Sequence, residues 1–140
     1  MTKLLAKIIT TGVIAIGLTG CGSAYDYRKV PLSDTITVPL GKTVAAEHAG
    51  FSVTFDKIEQ DSRCPINARC LWSGVGIVNA TVKQGDESQK VTLSTVNYET
   101  FNNTESVFGK DIKLLELLPN KSAGAAKPEM TEKTIKLIID

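Results

Sequence analysis

Two cysteines, Cys64 and Cys70, are the residues whose type and spacing could do chemistry in this chain. Such a pair can form a disulfide, hold a soft metal ion or supply a reactive thiol. A structural zinc site needs four ligands, and the only histidine, His48, stands isolated in the stretch AAEHAG. Covalent haem needs Cys-x-x-Cys-His, and thiol redox catalysis favours Cys-x-x-Cys at a helix start; neither pattern occurs. We therefore expect no metal and no cofactor.

Enzyme active sites also find little support in the residue pattern. A serine hydrolase requires a nucleophile elbow and a histidine, but no Gly-x-Ser-x-Gly occurs and His48 is the sole candidate base. Glu59 and Asp61 fall on one face of a predicted strand and could form a glycosidase-like pair, although nothing selects them from the other acids. We expect no catalytic residue, and we interpret the chain as a protein that is not an enzyme.

The N-terminus indicates the compartment, which decides between these cysteine chemistries. Lys3 and Lys7 precede an uncharged apolar run over residues 8–18, which is typical of a secretory signal peptide and is too short to span a bilayer. The stretch LTGC, residues 18–21, resembles the lipobox of bacterial lipoproteins. That resemblance implies cleavage before Cys21 and acylation of this cysteine. The lipid bilayer is therefore the first expected partner.

Localisation and charge can be read from the same segment. Gly22 and Ser23 follow the cysteine without an aspartate, which resembles outer-membrane sorting in Gram-negative lipoproteins. We expect a lipid-anchored protein of the cell envelope, in the outer membrane and facing the periplasm.

Cleavage removes two of the 16 basic residues and none of the 15 acidic ones, which leaves a formal charge near −1 and no basic stripe for nucleic acid. With Cys21 acylated in this oxidising compartment, Cys64 and Cys70 are expected to form a disulfide.

The chain divides into a signal peptide (1–20), a lipid-anchored tether (21–33) and one domain (34–140). In the domain, apolar and polar residues alternate in short stretches, and turns are predicted at residues 41–42 and 85–86. An all-β domain, an antiparallel β-sandwich or a barrel-like fold, is therefore predicted. The residues that carry this pattern are Ile36, Val38 and Leu40; Phe51, Val53 and Phe55; the run from Val75 to Val82; Val91 and Leu93; and Ile135, Leu137 and Ile139.

Two stretches near the C-terminus show a weaker pattern. Residues 110–118 have a spacing that a helix also satisfies, but their length and the strands predicted around them favour a strand that runs into a turn at Pro119. Residues 120–133, NKSAGAAKPEMTEK, are predicted to be a solvated connection before the last strand.

The sequence around the cysteines resembles a recurring element of small, uncharacterised bacterial lipoproteins and secreted domains. In that element an alternating strand runs into Asp-Ser-Arg-Cys-Pro, here residues 61–65. A cysteine-closed loop then leads to Cys-x-Trp-x-Gly, here residues 70–74. The resemblance covers most of the mature domain, and it implies an architecture without an established activity.

Two residues of this element, Arg63 and Trp72, are candidates for partner binding, and each has a structural alternative. Arg63 can offer its guanidinium to an anionic ligand or partner, or it can brace the loop together with Asp61. Trp72 can anchor an interface, or it can pack in or near the core from a strand beside the disulfide.

Taken together, these features predict a membrane-anchored envelope lipoprotein that serves as a binding or structural module. An envelope protein is the second expected partner. One alternative is a small-ligand-binding module in which Arg63 and Trp72 form a shallow patch. Another is an inhibitor that presents the disulfide loop to an envelope or secreted enzyme, because a rigid loop is a pre-organised recognition element.

Overall fold

The computed structural model describes residues 33–97, 99–124 and 131–140. The predicted signal peptide, Cys21 and the tether up to residue 32 lie outside the described residues. Within the described ranges every regular secondary-structure element is a β-strand, which confirms the predicted all-β class. The eight strands are β1 (Asp34–Pro39), β2 (Thr43–Ala46), β3 (Phe51–Asp61), β4 (Gly76–Gln84), β5 (Glu87–Ser94), β6 (Thr104–Val107), β7 (Lys110–Leu118) and β8 (Thr134–Ile139).

The strands form two four-stranded sheets that pack against each other. One sheet has the order β1-β8-β7-β6 and the other has the order β2-β3-β4-β5. All neighbouring strands within each sheet are antiparallel. The architecture is therefore that of an antiparallel β-sandwich, the first of the two predicted forms.

The core lies between the sheets and is built from the alternating apolar residues of both. Successive side chains of a strand point to opposite faces, so every second residue is buried. Each fully buried aliphatic or phenylalanine side chain stabilises the folded state by about 1.5–3 kcal/mol. Leu40 departs from the predicted pattern, because it follows β1 and is 37% exposed. The core residues contributed by the predicted strands include Val38, Phe51, Val53, Phe55, Val78, Ala80, Val82, Val91, Leu93, Ile135, Leu137 and Ile139.

Strand β7 confirms the strand predicted for residues 110–118, and its buried residues do not alternate strictly. Ile112 and Leu114 are buried, Leu115 is exposed, and Leu117 is buried again. The register against β8 shifts directly after Leu114. Such a β-bulge adds one residue to a strand, which turns Leu117 back towards the core. The bulge therefore replaces strict alternation with a two-residue step and then a three-residue step between the buried positions.

Both predicted turns are present. After β1 the amide of Lys42 donates to the Pro39 carbonyl at 3.0 Å, and Gly41 has a left-handed φ of 75°, which glycine adopts without steric cost. This turn carries the chain from the first sheet to the second. Gly85 and Asp86 form the two-residue connection of the β4–β5 hairpin.

The first strand begins at the opposite end of the sandwich from the loop that joins β3 to β4. Asp34, the first residue of β1, pairs with the last residue of β8. At the other end of β8, Thr134 pairs with Leu118 of β7. Arg63, in the β3–β4 connection, donates a hydrogen bond to the carbonyl of Leu117. The β3–β4 loop therefore lies about one strand length away from Asp34.

Candidate functional site

Residues 62–75, called the cysteine loop from here on, join β3 to β4 and contain the predicted cysteine pair. The Sγ atoms of Cys64 and Cys70 are 2.06 Å apart and their Cα atoms are 6.0 Å apart, as in a disulfide. The predicted disulfide is confirmed. With the two sulfurs bonded to each other, neither is a thiolate that could bind a metal or attack a substrate. The bond closes a small ring, so it shapes the loop instead of tying distant parts of the fold together.

The two arms of the cysteine loop are hydrogen-bonded to each other and extend the β3–β4 pairing. The amide of Ser62 donates to the Val75 carbonyl at 2.8 Å, and the Ser62 hydroxyl donates to the same carbonyl at 3.1 Å. Further along the loop, the amide of Cys64 donates to the Ser73 carbonyl at 2.8 Å. The two arms of the loop therefore leave the sandwich side by side in strand-like pairing, and the disulfide closes the loop beyond them.

Arg63 uses its guanidinium inside the domain. Its Nε and one terminal nitrogen donate to the two carboxylate oxygens of Asp61 at 2.8 and 2.9 Å, a bidentate geometry that lysine cannot reproduce. The terminal nitrogens also donate to the backbone carbonyl of Leu117 and, at 3.1 Å, to that of Pro119. Only 15% of the Arg63 side chain is exposed. These contacts correspond to the bracing alternative, and they leave the guanidinium little to offer to an anionic ligand.

The carboxyl of Asp61 is ionised in this arrangement. Partial burial raises its pKa, but the hydrogen bonds and positive charge of Arg63 outweigh burial and hold the pKa below its ordinary value. The charge of Lys121 acts in the same direction. Because Asp61 stays charged at neutral pH, it holds the Arg63 guanidinium in place, and the hydrogen bonds of that guanidinium to the Leu117 and Pro119 carbonyls link the end of β3 to the end of β7.

A second set of hydrogen bonds ties the cysteine loop to the connection that follows β7. The amide of Ile66 donates to the Lys121 carbonyl at 2.9 Å. Asn67 donates through Nδ2 to the Ala123 carbonyl at 2.9 Å and accepts from the Ala123 amide at 2.6 Å. Lys121 Nζ donates to the backbone carbonyl of Asp61 at 3.0 Å. Residues 122–124 and 131–133 of this connection are exposed, as predicted for a solvated segment, and its start is in addition hydrogen-bonded to the cysteine loop.

Three large apolar side chains of the cysteine loop face solvent. Ile66 is 74% exposed, Leu71 is 108% exposed and Trp72 is 57% exposed; we call these three residues the apolar tip. Trp72 lies outside the strands, so the alternative that it packs in the core from a strand is wrong. Single exposed apolar residues are common on protein surfaces, but several together on one loop are typical of a contact surface.

The two carboxylates considered as a glycosidase-like pair bind different cations. Glu59 lies 2.6 Å from Lys57 Nζ and accepts a hydrogen bond from Asn79 at 2.7 Å, whereas Asp61 binds Arg63. The hydrogen bond and charge of Lys57 lower the pKa of Glu59, and the pKa of Asp61 is lowered as well. A glycosidase needs one carboxyl whose pKa is raised. This pair does not supply such a group.

His48, the sole candidate base, lies in the turn between β2 and β3, at the end of the sandwich where β1 begins. Its Nδ1 is 2.6 Å from one carboxylate oxygen of Asp34, and the other oxygen accepts from the amide of Ala49 at 3.0 Å. The hydrogen bond with His48 is the main reason that the pKa of Asp34 lies below its ordinary value. The contact links the start of β1 to the β2–β3 turn.

Two further findings concern the described part of the chain alone. No three histidine, cysteine, aspartate or glutamate side chains group there closely enough to hold a metal ion. No helix there is long and apolar enough to cross a membrane.

Comparison with protein-family models, with curated proteins and with solved structures found no match for this chain. The class of protein is therefore defined by its own fold and site. It is a small antiparallel β-sandwich that carries a disulfide-closed loop with an exposed apolar tip.

Proposed function

We propose that this protein is a lipoprotein of the cell envelope, anchored in the outer membrane on its periplasmic side through acylated Cys21. We further propose that its domain binds an envelope protein through the apolar tip. The anchor is supported by the resemblance of residues 18–21 to a lipobox and by the signal-peptide pattern before it. The binding role is supported by the exposure of the tip.

The observation that carries the binding role is that the apolar tip is exposed on a loop that a disulfide and hydrogen bonds constrain. The disulfide, the hydrogen bonds between the two arms and the Arg63 contacts all restrict the loop. Immobilising a flexible side chain on binding costs about 0.5–1.5 kcal/mol, and ordering a mobile loop adds to that cost. A loop that is ordered beforehand loses less entropy, so more of its apolar contact energy contributes to affinity.

Arg63 and Trp72 have different roles in this proposal. Trp72 is a contact residue, because a half-exposed tryptophan supplies a large apolar surface and tryptophan is enriched among interface hot spots. Arg63 positions the loop through Asp61 and the two β7-side carbonyls. The small-ligand alternative has less support, because it needs the Arg63 guanidinium to face outward beside Trp72.

The projecting shape of the loop supports inhibition of an enzyme as a second candidate function. A disulfide-closed loop that leaves one end of a β-sandwich can enter a cleft on another protein without losing much conformational freedom. If the partner is an enzyme, stoichiometric addition of the purified chain should abolish its activity. If activity is unchanged in the complex, the binding-module function stands and inhibition does not.

The test of the binding role is site-specific photo-crosslinking of the full chain in its native envelope. A benzophenone-bearing amino acid replaces Ile66 or, as a matched control, Leu115. Leu115 is also an exposed aliphatic side chain, at 42%, but it lies on β7 outside the cysteine loop. We expect an adduct from position 66 and none from position 115.

The protein recovered in the adduct is then purified and titrated with the chain. We expect Trp72→Ala to weaken binding by at least about tenfold, as for an interface hot spot. Equal adducts at both positions, no adduct at all, or unchanged affinity after Trp72→Ala would each refute the binding role.

A further inference from the structure

We infer that the partner is a protein with an apolar cleft whose rim carries carboxylates, so that the cleft receives the apolar tip and the rim meets Arg69 and Lys121. This inference rests on the proposed function, and it specifies the chemistry of the surface that the loop recognises. Three arguments support it: the charge around the tip, the distance between charge and tip, and the position of the tip relative to Asp34, the start of the domain.

The charges around the apolar tip are unequal in sign. Residues 61–75 and 119–124, which are Asp61, the cysteine loop and the start of the connection it contacts after β7, contain one carboxylate and three cations, namely Arg63, Arg69 and Lys121. Asp61 pairs with Arg63, and Lys121 Nζ donates to the Asp61 backbone carbonyl at 3.0 Å, so the excess positive charge is carried by Arg69 and by the partly engaged Lys121. Arg69 is exposed and forms no ion pair with any described residue. Complementary potential at an interface therefore requires negative charge on the partner.

Arg69 is close enough to the tip to belong to the same contact. Arg69 and Trp72 are three residues apart, so their Cα atoms are at most about 11 Å apart. This distance is comparable with the Debye length of about 8–10 Å at physiological ionic strength. A carboxylate beside a pocket that holds Trp72 would therefore feel the charge of Arg69, and it could bind the guanidinium bidentately.

The position of the tip favours a protein over the anchoring bilayer. The cysteine loop and Asp34 lie at opposite ends of the domain, and the 11 residues of β3 give the sandwich a length of about 35 Å. The twelve residues between Cys21 and Asp34 reach about 40 Å when fully extended but only about 20 Å as a flexible coil. For the tip to touch its own bilayer, the domain would have to turn over on an almost fully extended tether.

A second copy of this chain is a poor partner for the same surface. In a two-fold symmetric contact the same patch of each copy faces the other. Arg69 and Lys121 of one copy would then approach the same cations of the second. Like charges brought together at an interface are unfavourable, so self-association through the tip is opposed.

The first experiment measures the charge around the tip without a partner. Trp72 is the only tryptophan in the chain, so its fluorescence reports on the tip alone. In the purified full chain in neutral detergent, we expect iodide to quench Trp72 more efficiently than caesium, each relative to free N-acetyltryptophanamide. Arg69→Glu should remove this preference, whereas Lys90→Glu, a change of an exposed cation on β5, should leave it unchanged. Equal quenching by the two ions in the unaltered chain overturns the inference.

The second experiment uses the protein recovered in the adduct at position 66. Arg69→Glu should weaken its affinity for the chain by at least about tenfold, and raising the salt concentration from about 0.05 to 0.5 M should also weaken it. Lys90→Glu is the matched control and should have little effect. Binding that depends on Trp72 but not on Arg69 or salt overturns the acidic rim and leaves the proposed function intact. Absence of any adduct overturns both.

Two further measurements test whether the tip instead binds the bilayer or a second copy of this chain. The full chain is placed in vesicles of phosphatidylethanolamine and phosphatidylglycerol whose acyl chains carry bromine. We expect Trp72 fluorescence to be unaffected, because the cysteine loop lies at the opposite end of the domain from Asp34. Quenching by the brominated chains would place the tip in the bilayer, and an adduct with twice the mass of the chain would identify a second copy; either result overturns the inference.

Discussion

The backbone carbonyl oxygen of Ser62 lies 1.9 Å from the position that a Cβ atom on Gly74 would occupy. No side chain fits at such a distance, so the two arms of the cysteine loop meet where only glycine is tolerated. Gly74 also has a φ of 69°, a left-handed conformation that strains other residues. The close approach of Ser62 therefore explains why the Cys-x-Trp-x-Gly pattern ends in glycine in this fold.

Gly74→Ala should lower the free energy of unfolding by at least about 3 kcal/mol, because it adds a backbone clash to the strain of a positive φ. The matched control is Gly109→Ala in the β6–β7 hairpin. Gly109 has a φ of 75° but nothing within 4 Å of an added Cβ, so the loss there should be only about 1–2 kcal/mol. Urea unfolding followed by circular dichroism measures both. Equal losses would contradict the close approach of Ser62.

Arg63→Lys should lower the free energy of unfolding by about 2–3 kcal/mol. A lysine ammonium cannot bind both oxygens of Asp61 and still reach the two carbonyls beyond β7. Arg69→Lys, on the exposed side of the loop, should change stability by no more than about 0.5 kcal/mol. Thermal unfolding of the two variants gives the comparison. An Arg63→Lys variant that is fully stable yet fails to bind the partner would show that Arg63 is a contact residue.

Stability should fall in acid, in part through Asp61. Its folded-state pKa lies below the ordinary value of 3.8, so the unfolded chain takes up a proton first as the pH falls. The stabilisation is thus complete well above pH 3.8 and is lost as the pH drops through the lower, folded-state pKa. Asp61→Asn should be less stable at pH 7 and should lose less stability between pH 7 and about pH 2.5. Parallel pH profiles for the two proteins would argue against the prediction.

Replacing both disulfide cysteines by serine, in a Cys64→Ser, Cys70→Ser variant, should cost about 2 kcal/mol and leave the domain folded. The ring is small, and hydrogen bonds between the arms remain to hold the loop near its native path. Partner binding should weaken more than stability does, because the apolar tip becomes more mobile. Unfolding curves and titration with the purified partner measure the two effects. Complete unfolding of the variant would show that the bond supports the whole fold.

The lipid anchor predicts a defined mass. The protein extracted gently from its native membrane should begin at Cys21, carry acyl chains there and lack two hydrogens at the disulfide. Cys21→Ala should prevent acylation, so its intact mass should lack the acyl chains. Mass spectrometry without reduction measures each of these. An unacylated Cys21 in the native protein would remove the anchor from the proposal.

The strands that were predicted are those whose apolar residues must alternate to bury one face. Phe51, Val53 and Phe55 in β3 show this rule, and all three are buried. Strands β2 and β6 are not evident in the sequence. Each has four residues and only one fully buried apolar side chain, Ala46 or Val107, so each depends on pairing with a longer neighbour. Edge strands of four residues are too short to show a detectable alternation of apolar and polar residues.

The candidate site was predictable only in its local contacts. The Asp61–Arg63 pair is two residues apart, and the turn chemistry there favours it. The carbonyls that complete the Arg63 contacts lie 54 and 56 positions further along the chain. Backbone carbonyls carry no residue signature, so nothing marks these partners in the sequence. The same applies to the Lys121 carbonyl that accepts from Ile66.

The sequence by itself determined the all-β class, because alternation along a strand is a local property. It also determined the pairing of Cys64 with Cys70, because these are the only two thiols left once Cys21 is acylated, as proposed. The tertiary structure alone decided that Arg63 is turned inward and Trp72 outward. Both lie in the same loop, and which side chain is covered depends on how the end of β7 packs beside the end of β3. That packing joins residues far apart in the chain, and local residue patterns do not encode it.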